Sequence, residues 1–476
     1  GQSITIDNTN FQVGSYGQNS TIAVPFKVSG CFADGNSFQL YISNDGFTTK
    51  QLIGSFNTYF TTFINGTIPS TLQPGNYQLR IESTIPAVVS STTTSNIQVV
   101  ASSNTLLAKI NTSPSRILSD QLYFGWCSGS LNNNQIIIDN QSTSGSVVNS
   151  YLINEKTGVV TNPVFTANQT TLTLARNYFT YIIKASNGGV ISSKAYNIIN
   201  SPNRLTLSTD GEQVGCLPDT LSFNLNIDST NGIGDNFPLQ KYKLDWGDGT
   251  ATEIYKHCEL LSTNGAIRHL YNSTSCSQTS IGFNVQTSLI NTFYSTTGIL
   301  QNCDQPIVTT RAKIFKKPVP DFNFISPGCV NTNIIFTNTT DPGLSQNGPA
   351  CSSLAYYSWY VDGVLVSQSN LVATPPNLNY VFTTSGFYSI KLSVDNGSCQ
   401  IVSITKTICI QPSITSADFL FDDQGVLKDS IVACAPKSFG ISNLTPAVLC
   451  GPNSYTWSVS YESTPGSTIP SGVIYT

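Results

Sequence analysis

The chain of 476 residues has no methionine, only two histidines, and charged side chains at 10% of its positions. Each scarcity excludes something. With Lys and Arg together at 22, and no basic cluster denser than Lys313-Ile-Phe-Lys-Lys317, it offers no phosphate-tracking surface, so nucleic acid is not an expected partner. No apolar run approaches the ~20 residues that a membrane-spanning helix requires. Among the twelve cysteines no C-x-x-C pair occurs, and His257 and His269 lie in no ligand spacing, which argues against structural zinc. Nucleophile-elbow, H-E-x-x-H, P-loop and dinucleotide motifs are absent, so no catalytic residue is assigned and the chain is not expected to be an enzyme.

What is present is polar, uncharged and rich in cysteine. Net charge is −4, and the surface must be built from Ser, Thr, Asn and Gln. Twelve cysteines in such a composition point to disulfides and an oxidising, extracellular compartment. The opening Gly1-Gln-Ser-Ile fits a chain that has lost a signal peptide. Long helical periodicities are missing, while short alternating runs bounded by Gly, Pro, Asn and Ser recur throughout, so the fold class is all-β.

A repeated plan divides the chain. Gly215-Cys-Leu-Pro-Asp-Thr-Leu-Ser-Phe223, Gly328-Cys-Val-Asn-Thr-Asn-Ile-Ile-Phe336 and Ala433-Cys-Ala-Pro-Lys-Ser-Phe-Gly-Ile441 each set a cysteine just before a strand, and an aromatic strand follows each. Low-hydrophobicity links place the modules at 1–102, 103–203, 204–317, 318–412 and 413–476, the last one holding only part of a sandwich. Five such modules end to end would make an elongated rod on the order of 150 Å or longer.

One segment carries the sharpest local signal. Lys241 to Thr250 alternates into Asp245-Trp246-Gly247-Asp248-Gly249, an acidic glycine turn between strands, with His269 and Tyr271 on a later strand. This resembles the PKD repeat, an immunoglobulin-like sandwich of surface proteins, in which those seven residues are structural turn positions. The turn near Val361-Asp362-Gly363 is a degenerate copy. Residues 1 to 102 follow another order, Thr21-Ile-Ala-Val-Pro-Phe-Lys-Val-Ser-Gly30 and later Gly75-Asn-Tyr-Gln-Leu-Arg-Ile-Glu-Ser83, which resembles a repeat of the giant secreted adhesins of Bacteroidetes.

The resemblance implies a tandem array of immunoglobulin-like and PKD-like β-sandwiches. It further implies a non-enzymatic surface adhesin or stalk segment exported by the type IX route, of the kind that serves gliding motility. Partners would be surface glycans, solid surfaces or other cell-surface proteins, together with the secretion and motility machinery. The rival readings are a self-assembling filament or sheath subunit, and spacer modules of a secreted polysaccharide-degrading enzyme.

In an immunoglobulin-like sandwich the start of strand B and the end of strand G share one pole, and the B–C loop and F–G turn share the other. That predicts Cys329–Cys409 and Cys351–Cys399 in the fourth module, and Cys216–Cys276 and Cys258–Cys303 in the third. Cys434 and Cys450 either have partners beyond Thr476 or bond each other. Cys31 and Cys127 remain unassigned. Asp245 and Asp248 could supply oxygens to calcium, but carboxylates in such turns mostly accept backbone N–H bonds, so no cofactor is assigned. Asp219-Thr220, Asp228-Ser229 and Asp429-Ser430, each before an aliphatic residue, resemble Bacteroidetes O-glycosylation acceptors, making Thr220, Ser229 and Ser430 candidates. Asn-x-Ser/Thr triplets such as those at Asn65 and Asn396 are expected by chance in so Asn-rich a chain.

Overall fold

The computed structural model describes residues 1–101, 105–113, 122–127, 134–201, 212–225, 237–238, 240–291, 307–413, 417–434, 437–445, 448–451, 459–461 and 472–475. Among them are 39 strands and a single helix of six residues, so the protein is an all-β chain of immunoglobulin-like sandwiches. They pack as two compact units. One comprises Gly1–Gln213, Thr220–Leu270 and Phe283–Ala312; the other comprises Val214–Asp219, Tyr271–Gly282 and Lys313–Thr476. The third sequence module therefore contributes to both.

In the first unit the opening two modules are fused side by side. The short strand Ser15–Gly17 runs parallel to Ile97–Val100 on one flank and to Val190–Ser201 on the other, with Ile191 opposite Tyr16. One continuous sheet thereby joins the two sandwiches. The end-to-end stacking expected of neighbouring modules does not hold here. The reason lies in strands buried on both faces: Thr21–Ser29 is buried at five consecutive positions from Ile22 to Phe26, and Asn177–Asn187 at seven from Asn177 to Ile183. Ile22, Val24 and Phe26 fill the core of the first sandwich, while Ala23 joins Phe63, Ile153, Ile182 and Ala195 in an apolar seam.

The same unit holds strands from the third module. Gln240–Asp245 lies between Glu253–Lys256 and Phe283–Asn291, and the last pairs with 307–312. Asp219–Asn224 pairs with Ala266–Tyr271 in a second layer. Trp246, Tyr242 and Leu244 fill the space between them, all fully buried.

In the second unit, Phe322–Asn323, Asn333–Asn338 and Leu378–Val381 form one layer, and Gly328–Cys329, Val402–Gln411, Gly386–Asp395, Tyr356–Val361 and Val364–Gln368 form the other in that spatial order. This is the immunoglobulin-type arrangement. Alternation along Gly386–Asp395, and the end of Val402–Gln411, whose last four residues are all buried, send Ile390, Leu392, Val394, Ile408 and Ile410 onto Trp359 and Phe336 in the core. A small three-stranded sheet of Phe419–Asp423, Val426–Lys428 and Gly440–Asn443 comes next in the chain.

Candidate functional site

The Asp245–Gly249 turn assembles as a closed hydrogen-bonded knot. Asp245 Oδ1 accepts the Gly247 N–H at 3.0 Å, and Asp248 Oδ1 accepts both the N–H and the hydroxyl of Thr250, at 3.0 and 2.6 Å. His269 stacks on Trp246 with ring centroids 4.5 Å apart, and its Nε2 donates to Asp248 Oδ2 at 2.8 Å. Tyr271 is fully buried. Burial opposes the charge on Asp248, but the bonds from Thr250 and His269 outweigh it and hold the carboxyl below its usual range. Both carboxylates serve the backbone, and no group of three or more metal-ligating side chains gathers among the described residues. Gly247 and Gly249 take positive φ, +74° and +85°. A side chain on Gly247 would collide with the backbone of Asn284 at 2.6 to 2.7 Å, whereas Gly249 faces open space.

The four cysteine pairs proposed from pole geometry are overturned. The bonds are Cys31–Cys258, Cys216–Cys399, Cys276–Cys351 and Cys409–Cys450. Cys329 and Cys434 are exposed and unpaired. Thus Cys216 does not pair with Cys276, Cys351 does not pair with Cys399, Cys409 does not pair with Cys329, and Cys258, taken by Cys31, cannot pair with Cys303, which itself lies outside the described residues. The poles were placed correctly in the fourth module, but their cysteines reach across to other sequence modules. Cys399 and Cys351 meet Cys216 and Cys276 within the second unit, around a small apolar cluster with Ile281 and Phe315. Pole geometry within one sandwich cannot foresee a partner supplied by another.

Two seams carry the rest of the chemistry. Between the first and third modules, the helix His257–Ser262 brings Cys258 to Cys31, with Glu259 accepting the Lys256 N–H at 2.7 Å to start the turn. Lys241 meets Asp34 at 2.9 Å, Lys256 donates to the Phe32 carbonyl at 2.9 Å, and Tyr59 donates its hydroxyl to the Gln240 carbonyl at 2.9 Å. Burial raises the Tyr59 phenol and opposes the Asp34 charge, but the two lysines hold Asp34 below its usual range.

The seam between the first two modules is hydrogen-bonded through neutral groups. Asn65 donates to the Ala195 carbonyl at 3.0 Å and accepts its N–H at 2.9 Å. Tyr16 meets Ser193 at 3.0 Å, Thr21 meets Ser192 at 2.8 Å, and Asn197 donates to Thr62 at 3.0 Å. Thr62 contacts Thr180, which donates to Glu155. Burial pushes the Glu155 carboxyl up to about 7, against the bond from Thr180 and the charge of Lys27. Sequence reading missed this seam, although the unbroken run Tyr-Phe-Thr-Tyr-Ile-Ile from Tyr178 to Ile183 signals a strand covered on both faces.

Of the modification candidates, Thr220 and Ser430 are exposed, and Ser229 lies outside the described residues. Asn396 is fully buried, its amide donating to the Lys316 carbonyl at 3.0 Å, so its triplet is a turn and not an acceptor.

No family model matches the chain, and no curated protein matches it. Among solved structures, the ICAM-5 D1–D4 ectodomain fragment is 8% identical at a TM-score of 0.30, covering 86% of this chain and 100% of that one. Sidekick-1 immunoglobulin domains 1–5 are 8% identical at 0.25, covering 94% and 93%. The titin domains I67–I69 are 10% identical at 0.29, covering 61% and 95%. At TM-scores this low the likenesses carry no argument, and the fold rests on the strand orders above.

Proposed function

We propose that the chain is a non-enzymatic extracellular adhesin or stalk segment, in which sandwiches are cross-linked to one another so that load passes between modules through covalent bonds. The observation that supports this is that all four disulfides among the described residues join cysteines of different sequence modules. Disulfides persist in oxidising compartments, which favours a location outside the cytosol. The neutral hydrogen-bonded seam between the first two modules suits a structure exposed to varying salt. The motif resemblances extend this to a Bacteroidetes adhesin exported by the type IX route and serving attachment or gliding, with other cell-surface proteins, glycans or solid surfaces as partners. Thr220 and Ser430, exposed, would be open to glycosylation, and a calcium ion at Asp245 and Asp248 would have to displace the turn's own bonds.

Beads coated with the purified chain test the reading under flow, over glycan arrays, hydrophobic surfaces and immobilised cell-surface protein. Attachment to at least one surface, lost when the disulfides are reduced, is the expected result. Attachment to none, or turnover of a glycan or peptide library by the chain, would overturn it.

A further inference from the structure

Cys329 sits beside the Cys409–Cys450 bond. The two-residue strand Gly328–Cys329 runs parallel to Val402–Gln411, with Gly328 opposite Ile410 and Cys329 opposite Gln411. Gly328 faces the core, since a side chain there would strike Ile334 and Ile410. Cys329 therefore faces outward, on the side of the sheet that carries Gln411 and, two residues back, Cys409. The segment around Cys450 lies over that face: Gln411 Nε2 donates to the Cys450 carbonyl and its Oε1 accepts the Leu449 N–H, both at 2.6 Å. A free exposed thiol, a disulfide and a glutamine clasp thus share one patch.

We propose that Cys329, Cys409 and Cys450 form a thiol–disulfide exchange set that switches the junction between two covalent states. The Cys329 thiolate attacks Cys409 Sγ, the Cys329–Cys409 bond forms as the Cys409–Cys450 bond breaks, and the electron pair leaves on Cys450, which takes a proton from solvent. One disulfide and one thiol stand on each side, so no oxidant is needed. From a strand spacing of ~4.8 Å and a rise of ~3.3 Å per residue, the Cα atoms of Cys329 and Cys409 are about 8 Å apart. Disulfides span up to about 6.8 Å, so the attacking strand must slip by one to two ångströms. Two ladder positions are little to restrain it. In the first state Cys409 ties residues 448–451 to the sandwich. In the second the sandwich is stapled to itself, and residues 448–451 lose their covalent tie while the Gln411 clasp remains.

The test is incubation of the full 476-residue chain without reductant at pH 8, then acid quench, alkylation of the free thiols with a maleimide at mildly acid pH and non-reducing peptide mapping. Exchange proceeds through a thiolate, so the expected result is a Cys329–Cys409 peptide with alkylated Cys450, accumulating faster at pH 8 than at pH 6. In Cys329→Ser, alkylated Cys450 should fall at least tenfold. A second variant, Cys450→Ser, refolded in glutathione buffer, should yield Cys329–Cys409. The proposal is overturned if Cys450 is never alkylated, if its alkylation persists in Cys329→Ser through attack by Cys434, or if Cys450→Ser leaves Cys329 and Cys409 both as thiols.

Discussion

At the scale of single residues, the two glycines of the acidic turn separate strain from collision. Both occupy left-handed backbone, which costs an L side chain about 1–2 kcal/mol. Gly249→Ala should cost about that much, because nothing stands within 4 Å of the added carbon. Gly247→Ala should cost roughly 3 kcal/mol or more, since Asn284 backbone must also move. Chemical denaturation of the two variants checks the order, and equal losses would contradict the collision. Glu155 makes a second residue-scale case. Its folded carboxyl titrates at about 7, above its ordinary range, so the neutral form is favoured on folding and the stability it confers is full below pH ~4.5 and lost as pH rises through 7. Glu155→Gln should match the native chain below about pH 4 and exceed it at pH 8, by at most about 3 kcal/mol. A pH-independent difference would refute the assignment.

Strand pairs are the next scale, and here the uncharged composition acquires a physical role. Burying a charged face against another sandwich would require each ion to find a partner. Burying Ser, Thr and Asn requires only hydrogen bonds, and the seam between the first two modules supplies them. Asn65→Ala would leave the N–H and C=O of Ala195 unpaired in a buried seam, a loss of about 2–4 kcal/mol. Because Asn65 lies on Phe63–Thr67 and its partner on Val190–Ser201, hydrogen exchange should quicken on both strands. Faster exchange on the first alone would mean that the two sandwiches open independently.

For the molecule as a whole, the disulfides decide which parts unfold together. Cys31–Cys258 closes a loop with a sequence separation of 227. By the entropy of loop closure that bond is worth about 5 kcal/mol when considered alone. A chain carrying Cys31→Ser and Cys258→Ser should therefore lose several kcal/mol, and limited proteolysis should reach the helix His257–Ser262 before the first sandwich. If the variant melts and digests like the native chain, the ion pair, backbone bond and phenol contact around Asp34, Phe32 and Tyr59 hold that seam unaided.

Local periodicity and backbone chemistry are written into the chain, and they dictate its elements. Alternation along runs such as Tyr356–Val361 and Gly386–Val394 makes strands, because every second side chain must leave water. The Asp245–Gly249 pattern makes a tight turn, because only glycine takes the two left-handed positions cheaply. The strand order of an immunoglobulin-like sandwich placed Cys351 and Cys399 at one pole of their sandwich. Long-range packing alone settles which surfaces face one another. A cysteine's bonding partner, the cover on the outer face of Thr21–Ser29, and the raised Glu155 carboxyl all depend on residues far away in the chain, and local pattern holds no record of them. Ser, Thr and Asn serve equally well against water or against a neighbouring sandwich. In a chain so poor in charge, the polar residues that would ordinarily mark a free surface therefore hid the seams, and only runs such as residues 178–183 marked them.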